Sequence, residues 1–397
     1  MRLKNSSLLI TLAVALSSIA NSQTADPPKE DSLFARRTIS AIISRTGMIQ
    51  RSSAERGIAV QGQFVQDLTF GRNDIDDNPT AFSRYSLDVS AALDGKRLFR
   101  WAGSDGFVRL KNHQNEFGQS IGTEAQLFSN IDAPSRTTLY EVWFEQRLKA
   151  DKLRIKLGKI DANTEFAVVQ GAGDFLNSSM GYSPTILSFP TYPEPKFGVN
   201  VFLHPLKQYA LGLGAFRTSM GTLSIVEPGR SWALGKAELP GRVSAGYWRL
   251  DGELNAFDGS RSSVTQGFYS VFEQAVWRQV LSQDGDERRL STYLQFAHAD
   301  GRMSPFTDHL GSGAVLQAPF ERRSHDSLGF ASTWVRFSSQ PGSEFDQTAE
   351  LILEGYYKIS LSRQLALVSD FQFFHHPGGL QKNRDGAVVT PRLVVSF

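Results

Sequence analysis

From residue 58 onward, side chains switch between apolar and polar at every second position. Successive residues of a strand point to opposite faces, so this period reads as half-buried β-strands. The clearest case is AVVTPRLVVSF at the C-terminus: Val389, Pro391, Leu393, Val395 and Phe397 share one face, and Thr390, Arg392 and Ser396 share the other. In KLRIKLGK, Leu153, Ile155 and Leu157 alternate with Arg154 and Lys156. In KFGVNVFL, Phe197, Val199, Val201 and Leu203 alternate with Lys196, Gly198 and Asn200. TTLYEVWFEQRL sets Tyr140, Val142 and Phe144 against Glu141, Trp143, Glu145 and Arg147. Leu351 and Leu353 oppose Glu350 and Glu354, and Leu365, Leu367, Phe371 and Phe373 oppose Asp370 and Gln372. One segment resists assignment: GFYSVFEQAVWR places Glu273 in register with Tyr269 and Val271. The chain reads as all-β.

An all-β chain with alternating faces is either a soluble protein or a membrane barrel. Charged residues at 21%, aromatics at 11%, 28 Phe and 34 Gly suit both. The N-terminus favours export. Arg2 and Lys4 precede an apolar run from Leu8 to Ala20, and small residues offer cleavage after Ala20 or Ser22. That is a secretory signal peptide over residues 1–22, too short for a membrane anchor and followed by no stop-transfer pattern. No later stretch reaches the ~18–20 apolar residues of a spanning helix, so a membrane is reachable only at its surface or as a barrel. Residues 23–57 carry LFARRTISAIISRTGMIQ, weakly amphipathic, which reads equally as a short periplasmic helix or a tail. The absence of cysteine excludes thiolate ligands and nucleophiles, and a net charge of +2 excludes a strongly basic nucleic-acid binder.

Strands are expected near 58–70, 82–94, 103–113, 136–148, 152–160, 196–204, 208–216, 231–239, 241–251, 266–279, 288–300, 311–321, 325–337, 347–358, 363–375 and 386–397. Sixteen is the even number expected of a transmembrane antiparallel β-barrel, here residues 58–397. Short turns such as DGKR, KAD, HPLK and LSR fall on one rim. Longer connections fall mostly after odd strands, at 71–81, 114–135, 161–195, 217–230, 252–265, 301–310 and 376–385. GTEAQLFSN is assigned to a loop, because a strand there would place 161–195 on the short-turn rim. Connections as long as 161–195 are uncommon without a function.

No catalytic constellation stands out. FLNSSMG is not a nucleophile elbow, the seven histidines lack metal-binding spacing, and no glycine loop suits a phosphate, so no catalytic residue, metal or cofactor is expected. His375 and His376 read as rim residues. What remains is a set of inward charges: Arg109, Glu141, Glu145, Arg147, Arg154, Lys156, Glu350, Glu354, Asp370 and Arg392. Most are read as keeping a lumen wet. The set is sharper around Glu141, Trp143 and Glu145, next to the long segment, because an aromatic face beside charged groups suits a sugar ring. Trp143 packing against a folded-in loop is an equal alternative.

These residues carry a resemblance. NIDAPSRTTLYEVWFEQRL (130–148), GKIDANTEFAV (158–168), DFLNSSMGYSPT (174–185), the late HPGG and RLVVSF, and AERGI at 54–58 resemble the carbohydrate-selective outer-membrane porins of the OprB type. The likeness is strongest over 130–205 and weaker through the rest of the mature chain. The segment 185–195 and the loops 217–230 and 301–310 look short or altered, which bears on the preferred sugar more than on the fold. The resemblance implies sixteen strands, the third external loop folded into the lumen, a charged constriction, and passive diffusion of mono- and oligosaccharides. Glu141, Glu145, Asp161, Asn163 and Glu165 match the patterned carboxylates and amide of that family. Arg109, Trp143, Arg147 and Arg154 join the expected site from strand parity alone. The implied partners are carbohydrate solutes, outer-membrane lipid and the barrel assembly machinery, read through Phe397. Monomer and trimer are both open. A general or anion-preferring porin, a barrel enzyme and a secreted glycan-binding β-protein are the competing readings.

Overall fold

The computed structural model describes residues 55–72, 79–115, 125–281 and 287–397. The expected signal peptide, and nearly all of the segment 23–57 with its possible helix, lie outside these residues.

Residues Gly57–Ser396 form one unit. Its strands are β1 (Ile58–Arg72), β2 (Pro79–Asp94), β3 (Ser104–Asn115), β4 (Arg136–Leu148), β5 (Leu153–Ile160), β6 (Lys196–Leu206), β7 (Tyr209–Arg217) and β8 (Thr222–Leu234). They continue as β9 (Leu239–Asn255), β10 (Arg261–Val280), β11 (Glu287–Ala299), β12 (Phe306–Gln317), β13 (Ser327–Phe337), β14 (Ala349–Ser360), β15 (Leu365–His375) and β16 (Gly386–Ser396). Every strand pairs antiparallel with its sequence neighbours, and β16 returns to β1 to close the barrel. The seam sets Asp67 opposite Arg392 and Phe70 opposite Val389. Closure leaves no free sheet edge, which is what lets a β-structure sit in lipid.

Alternation places the faces. Leu157, Phe197, Phe268, Phe272, Phe330 and Phe371 are exposed outward, while Lys156, Asn200, Gln295, Glu354 and Gln372 are buried inward. An apolar exterior around a polar interior is the reverse of a soluble protein and fits a lipid surround.

The structure departs from the expected pattern in three places. First, Arg109 pairs with Glu141 while Leu110 pairs with Leu139, so Tyr140 is an extra, bulged residue. A bulge shifts side-chain parity, and Tyr140 is buried inside instead of joining Val142 and Phe144 on the outer face. Second, residues 217–230 are not a loop. β8 starts at Thr222, and only residues 218–221 separate it from β7. Pro228 and Gly229 read as breakers, yet Pro228 pairs with Leu211. Proline lacks only the N–H, and the ladder towards β9 accordingly skips from Val226–Tyr247 to Gly229–Ser244 without changing register. Third, β10 starts earlier than expected and β12 lies several residues upstream, so 252–265 shrinks to residues 256–260 and 301–310 to 300–305.

The apolar core lies inside the barrel and is supplied largely by loops. Loop 3, residues 161–195, crosses the lumen. Its Phe166 and Ile186 pack with Phe202, Phe216 and Ile225 of the wall. Its Phe175, Leu176 and Met180 pack against Val271, Tyr293, Tyr356 and Val368. This explains the unassigned face of β10: Tyr269, Val271 and Glu273 all point inward, the first two beneath loop 3. Loop 2, described over residues 125–135, inserts Phe128 among Phe82, Ile352, Phe374 and Val388.

Candidate functional site

Loop 3 leaves β5 through a capped turn. Asp161 accepts from the Asn163 N–H at 3.0 Å and from the bulged Tyr140 hydroxyl at 2.5 Å, while its own N–H donates to Glu141 at 3.1 Å. Thr164 Oγ1 closes the turn onto the Asp161 carbonyl at 2.7 Å. Asn163 donates to the carbonyls of Phe166 and Ala167 at 3.3 and 3.4 Å. Asp161, Asn163 and Glu141 therefore fix where the loop enters the lumen.

That turn delivers Glu165 to the wall. Arg154 Nη1 and Nη2 grip its two carboxylate oxygens at 2.9 and 2.6 Å, and Arg154 Nη1 also reaches Glu145 at 2.9 Å. Lys156 bonds Glu165 and lies 3.6 Å from Glu145. Two cations from β5 thus meet one carboxylate from β4 and one from the loop, a bidentate, charge-assisted arrangement. Burial alone raises the Glu165 carboxyl, but the Arg154 and Lys156 bonds outweigh it and hold the group below its ordinary range.

An aromatic strip adjoins the cluster. Trp143 stacks on Phe107 with ring centres 5.0 Å apart. Lys156 Nζ sits 4.1 Å from the Trp143 ring, and Arg109 lies 5.1 Å from Phe107 while pairing with Glu141 at 3.2 Å. Gly158 lies opposite Trp143 at φ 145°, and a Cβ there would come within 2.6 Å of the Trp143 backbone. Arg147 stands apart, at the short-turn end of β4, where it pairs with Asp105.

The remaining inward charges are not solvated. Glu350, Glu354, Asp370 and Arg392 are all buried. Glu350 accepts from the N–H groups of Ala125, Gln126 and Gly378 at 2.9, 3.0 and 2.6 Å. Glu354 accepts from those of Leu176 and Asn177. Glu227 and Glu273 do the same for Ala167 and Gly171 at 2.9 and 2.6 Å. Arg392 pairs with Asp67, which also accepts from Ser129 of loop 2 at 2.7 Å. These wall groups hold loops, a role that residue type and parity do not distinguish from hydration. On the short-turn side of loop 3 a cavity of about 620 Å³ opens between Gln170, Asp174, Arg242, Glu273, Arg289 and Tyr356.

A closed sixteen-stranded barrel with an apolar exterior and loops folded into a charged lumen is an outer-membrane porin. The sequence profile described as "Carbohydrate-selective porin, OprB family" matches residues 80–397. The chain belongs to that family, and its function is the diffusion of sugars across the outer membrane, as a channel and not an enzyme. The fold is similar to that of Pseudomonas putida OprB: the high-pH structure aligns with a TM-score of 0.79 at 16% identity, over 88% of this chain and 97% of that one. The low-pH structure of the same protein aligns at 0.61 and 18% identity, over 88% and 96%. OmpT of Vibrio cholerae, in its trimer form, aligns at 0.50 and 11% identity, over 86% and 99%. None of the curated protein sequences matches the chain.

Proposed function

We propose that sugars pass between loop 3 and the wall formed by β3, β4 and β5, touching Trp143, Phe107, Arg109, Arg154, Glu145 and Glu165. The observation that carries this reading is the partly exposed Phe107–Trp143 stack, flanked by Arg109 and by the Arg154–Glu165 clamp. Ring faces meet the apolar C–H side of a pyranose, and the paired charges meet its hydroxyls. Asp161, Asn163 and Glu141 act one step back by fixing the loop, and Arg147 lines the channel nearer the short-turn rim. Binding of this kind is weak enough for release, as conduction requires.

The charge balance argues against an anion-preferring pore at this point. Arg109 is matched by Glu141, and Arg154 with Lys156 by Glu145 with Glu165. β16, which continues the alternating pattern to Phe397, acts as the segment read by the assembly machinery, and the outward apolar band meets lipid.

Liposome swelling tests the path. Trp143→Ala should bring the swelling rate with glucose or maltooligosaccharides down towards that of a size-matched polyol, with folding checked by heat-modifiable gel migration. An unchanged sugar advantage places the path elsewhere. A reversal potential near zero in a KCl gradient is expected, and a strong anion preference would favour the general-porin reading.

A further inference from the structure

We propose that the rim beneath β2–β5 carries a binding site for anionic phospholipid headgroups of the periplasmic leaflet. The inference rests on the barrel's seat in the membrane with its short turns towards the periplasm, and is independent of the sugar path.

Two turns build the site. The first, between β2 and β3, contains a short helix, α1 (Gly95–Phe99), whose N-cap is Asp94 and whose C-cap Arg100 is left-handed at φ 60°. The second, residues 149–152, joins β4 to β5. Their strands hold them side by side: Arg147 N–H donates to the Gly103 carbonyl at 2.7 Å, and Gln146 Nε2 to the Ala102 carbonyl at 3.1 Å. The first turn projects two aromatic rings out of the fold, Phe99 at 72% and Trp101 at 55% exposure. Trp101 lies 5.1 Å from Phe144, an exposed outward residue of the apolar band. The rings are therefore continuous with the lipid-facing surface and sit at its edge, where aromatic side chains anchor a membrane protein.

Around the rings stand cations. Lys96, Arg97, Arg100, Lys149 and Lys152 are all exposed. Arg97 pairs with Asp94 at 3.4 Å, and exposed Asp151 lies 4.0 Å from Arg147. Among the described residues, Lys96, Arg100, Lys149 and Lys152 have no carboxylate within ion-pair distance. Elsewhere on this rim, residues 235–238 set Lys236 against Glu238 and in 318–326 Arg323 is paired with Asp326, while the turns 207–208 and 361–364 carry one cation each, Lys207 and Arg363, so the four cations here form the larger cluster. Unpaired cations beside interfacial rings give the charge complement of a phosphodiester held at headgroup depth. A sugar offers no such charge.

The test uses the full, folded protein from detergent micelles doped with phosphatidylglycerol or phosphatidylcholine, read by native mass spectrometry. The native protein is expected to retain phosphatidylglycerol and to release it as salt rises. Each removed cation should weaken retention about fivefold, so Lys96→Gln/Arg100→Asn/Lys149→Gln/Lys152→Gln should abolish the preference. Lys149→Gln/Lys152→Gln, confined to the second turn, should weaken it about 25-fold while sugar-driven liposome swelling stays native. Equal retention of the two lipids by the native protein, or an undiminished preference in a heat-modifiable double variant, would overturn the assignment.

Discussion

Replacing Glu354 by leucine should loosen the middle of loop 3 without unfolding the barrel. The buried carboxylate of Glu354 accepts the N–H groups of Leu176 and Asn177, the latter at 3.3 and 3.2 Å to its two oxygens. Leucine removes the acceptor and leaves both donors without a partner. An orphaned buried donor costs roughly 1–3 kcal/mol, so the docked segment loses about 2–6 kcal/mol. At ~1.4 kcal/mol per decade, its docked-to-released ratio falls at least ~30-fold. Release stays local, because Asp161, Ala167 and Gly171 remain tied to Glu141, Glu227 and Glu273. In planar bilayers, single Glu354→Leu channels should show excursions to a higher conductance and weaker block by sugar. Glu354→Gln keeps one carbonyl acceptor and should behave close to native, which separates the tether from mere loss of charge. A steady, native current level from folded Glu354→Leu channels would refute the tether. Equal effects of leucine and glutamine would assign the change to charge instead.

Phe175→Ala should act on the same segment through packing. The Phe175 ring is buried edge-on against Tyr356 and Tyr293, with centres 4.8 and 6.2 Å apart. Truncating a buried phenylalanine costs about 3–5 kcal/mol; the amides of residues 171–181 should exchange hydrogen at least tenfold faster while strand amides stay protected, and unchanged exchange would refute the packing role. The Glu165 clamp predicts a pH response with a defined sign. Its carboxyl lies below the ordinary value of 4.5 in the folded protein, so the clamp is fully present above that pH and lost only as pH falls through the depressed value. Sugar block attributable to Glu165, taken as native minus Glu165→Gln, should be flat from neutrality to about pH 4.5 and fall below it; a transition near pH 6 that Glu165→Gln abolishes would contradict the assignment.

Strand number and the outward face were legible because lipid imposes one rule on every strand: every second side chain is apolar. The inward face obeys no such uniform rule. It is polar where water or an ion pair meets it and apolar where a loop lies on it, so Tyr269 and Val271 blurred the alternation of β10. Tyr140 escaped because a bulge adds a residue without changing composition. β8 escaped because Pro228 sits where only the ladder towards β9 is interrupted. The charge cluster was half legible. Parity places Arg154, Lys156, Glu141, Trp143 and Glu145 on one face, but Glu165 joins them only through the Asp161-capped turn. The burial of Glu350, Glu354, Asp370 and Arg392 was illegible, since an inward carboxylate facing water and one facing a loop amide look alike in sequence.

That distinction explains how a loop with so little regular structure holds one position. Loop 3 satisfies many of its own N–H groups, as where Phe166 donates to Ala162, Val169 to Gly181 and Phe175 to Ala172, and each buried donor left over needs a partner on the wall. Carboxylates accept without donating, so a wall glutamate offers several lone pairs to passing amides. Glu141, Glu227, Glu273 and Glu354 meet loop 3 in the order in which it crosses β4, β8, β10 and β14, at Asp161, Ala167, Gly171 and Leu176. Glu350 gathers loop 2 and the β15–β16 connection on a single side chain. The loop's path is thus written in the strands as well as in its own turns. The loop contributes side chains that reach back, Glu165 to Arg154, Asp174 to Lys358 and Asn177 to Gln372, and the apolar residues that fill the space between tethers. A loop 3 grafted into a barrel lacking these acceptors has no reason to follow the same course, so the wall and the loop specify the pore together.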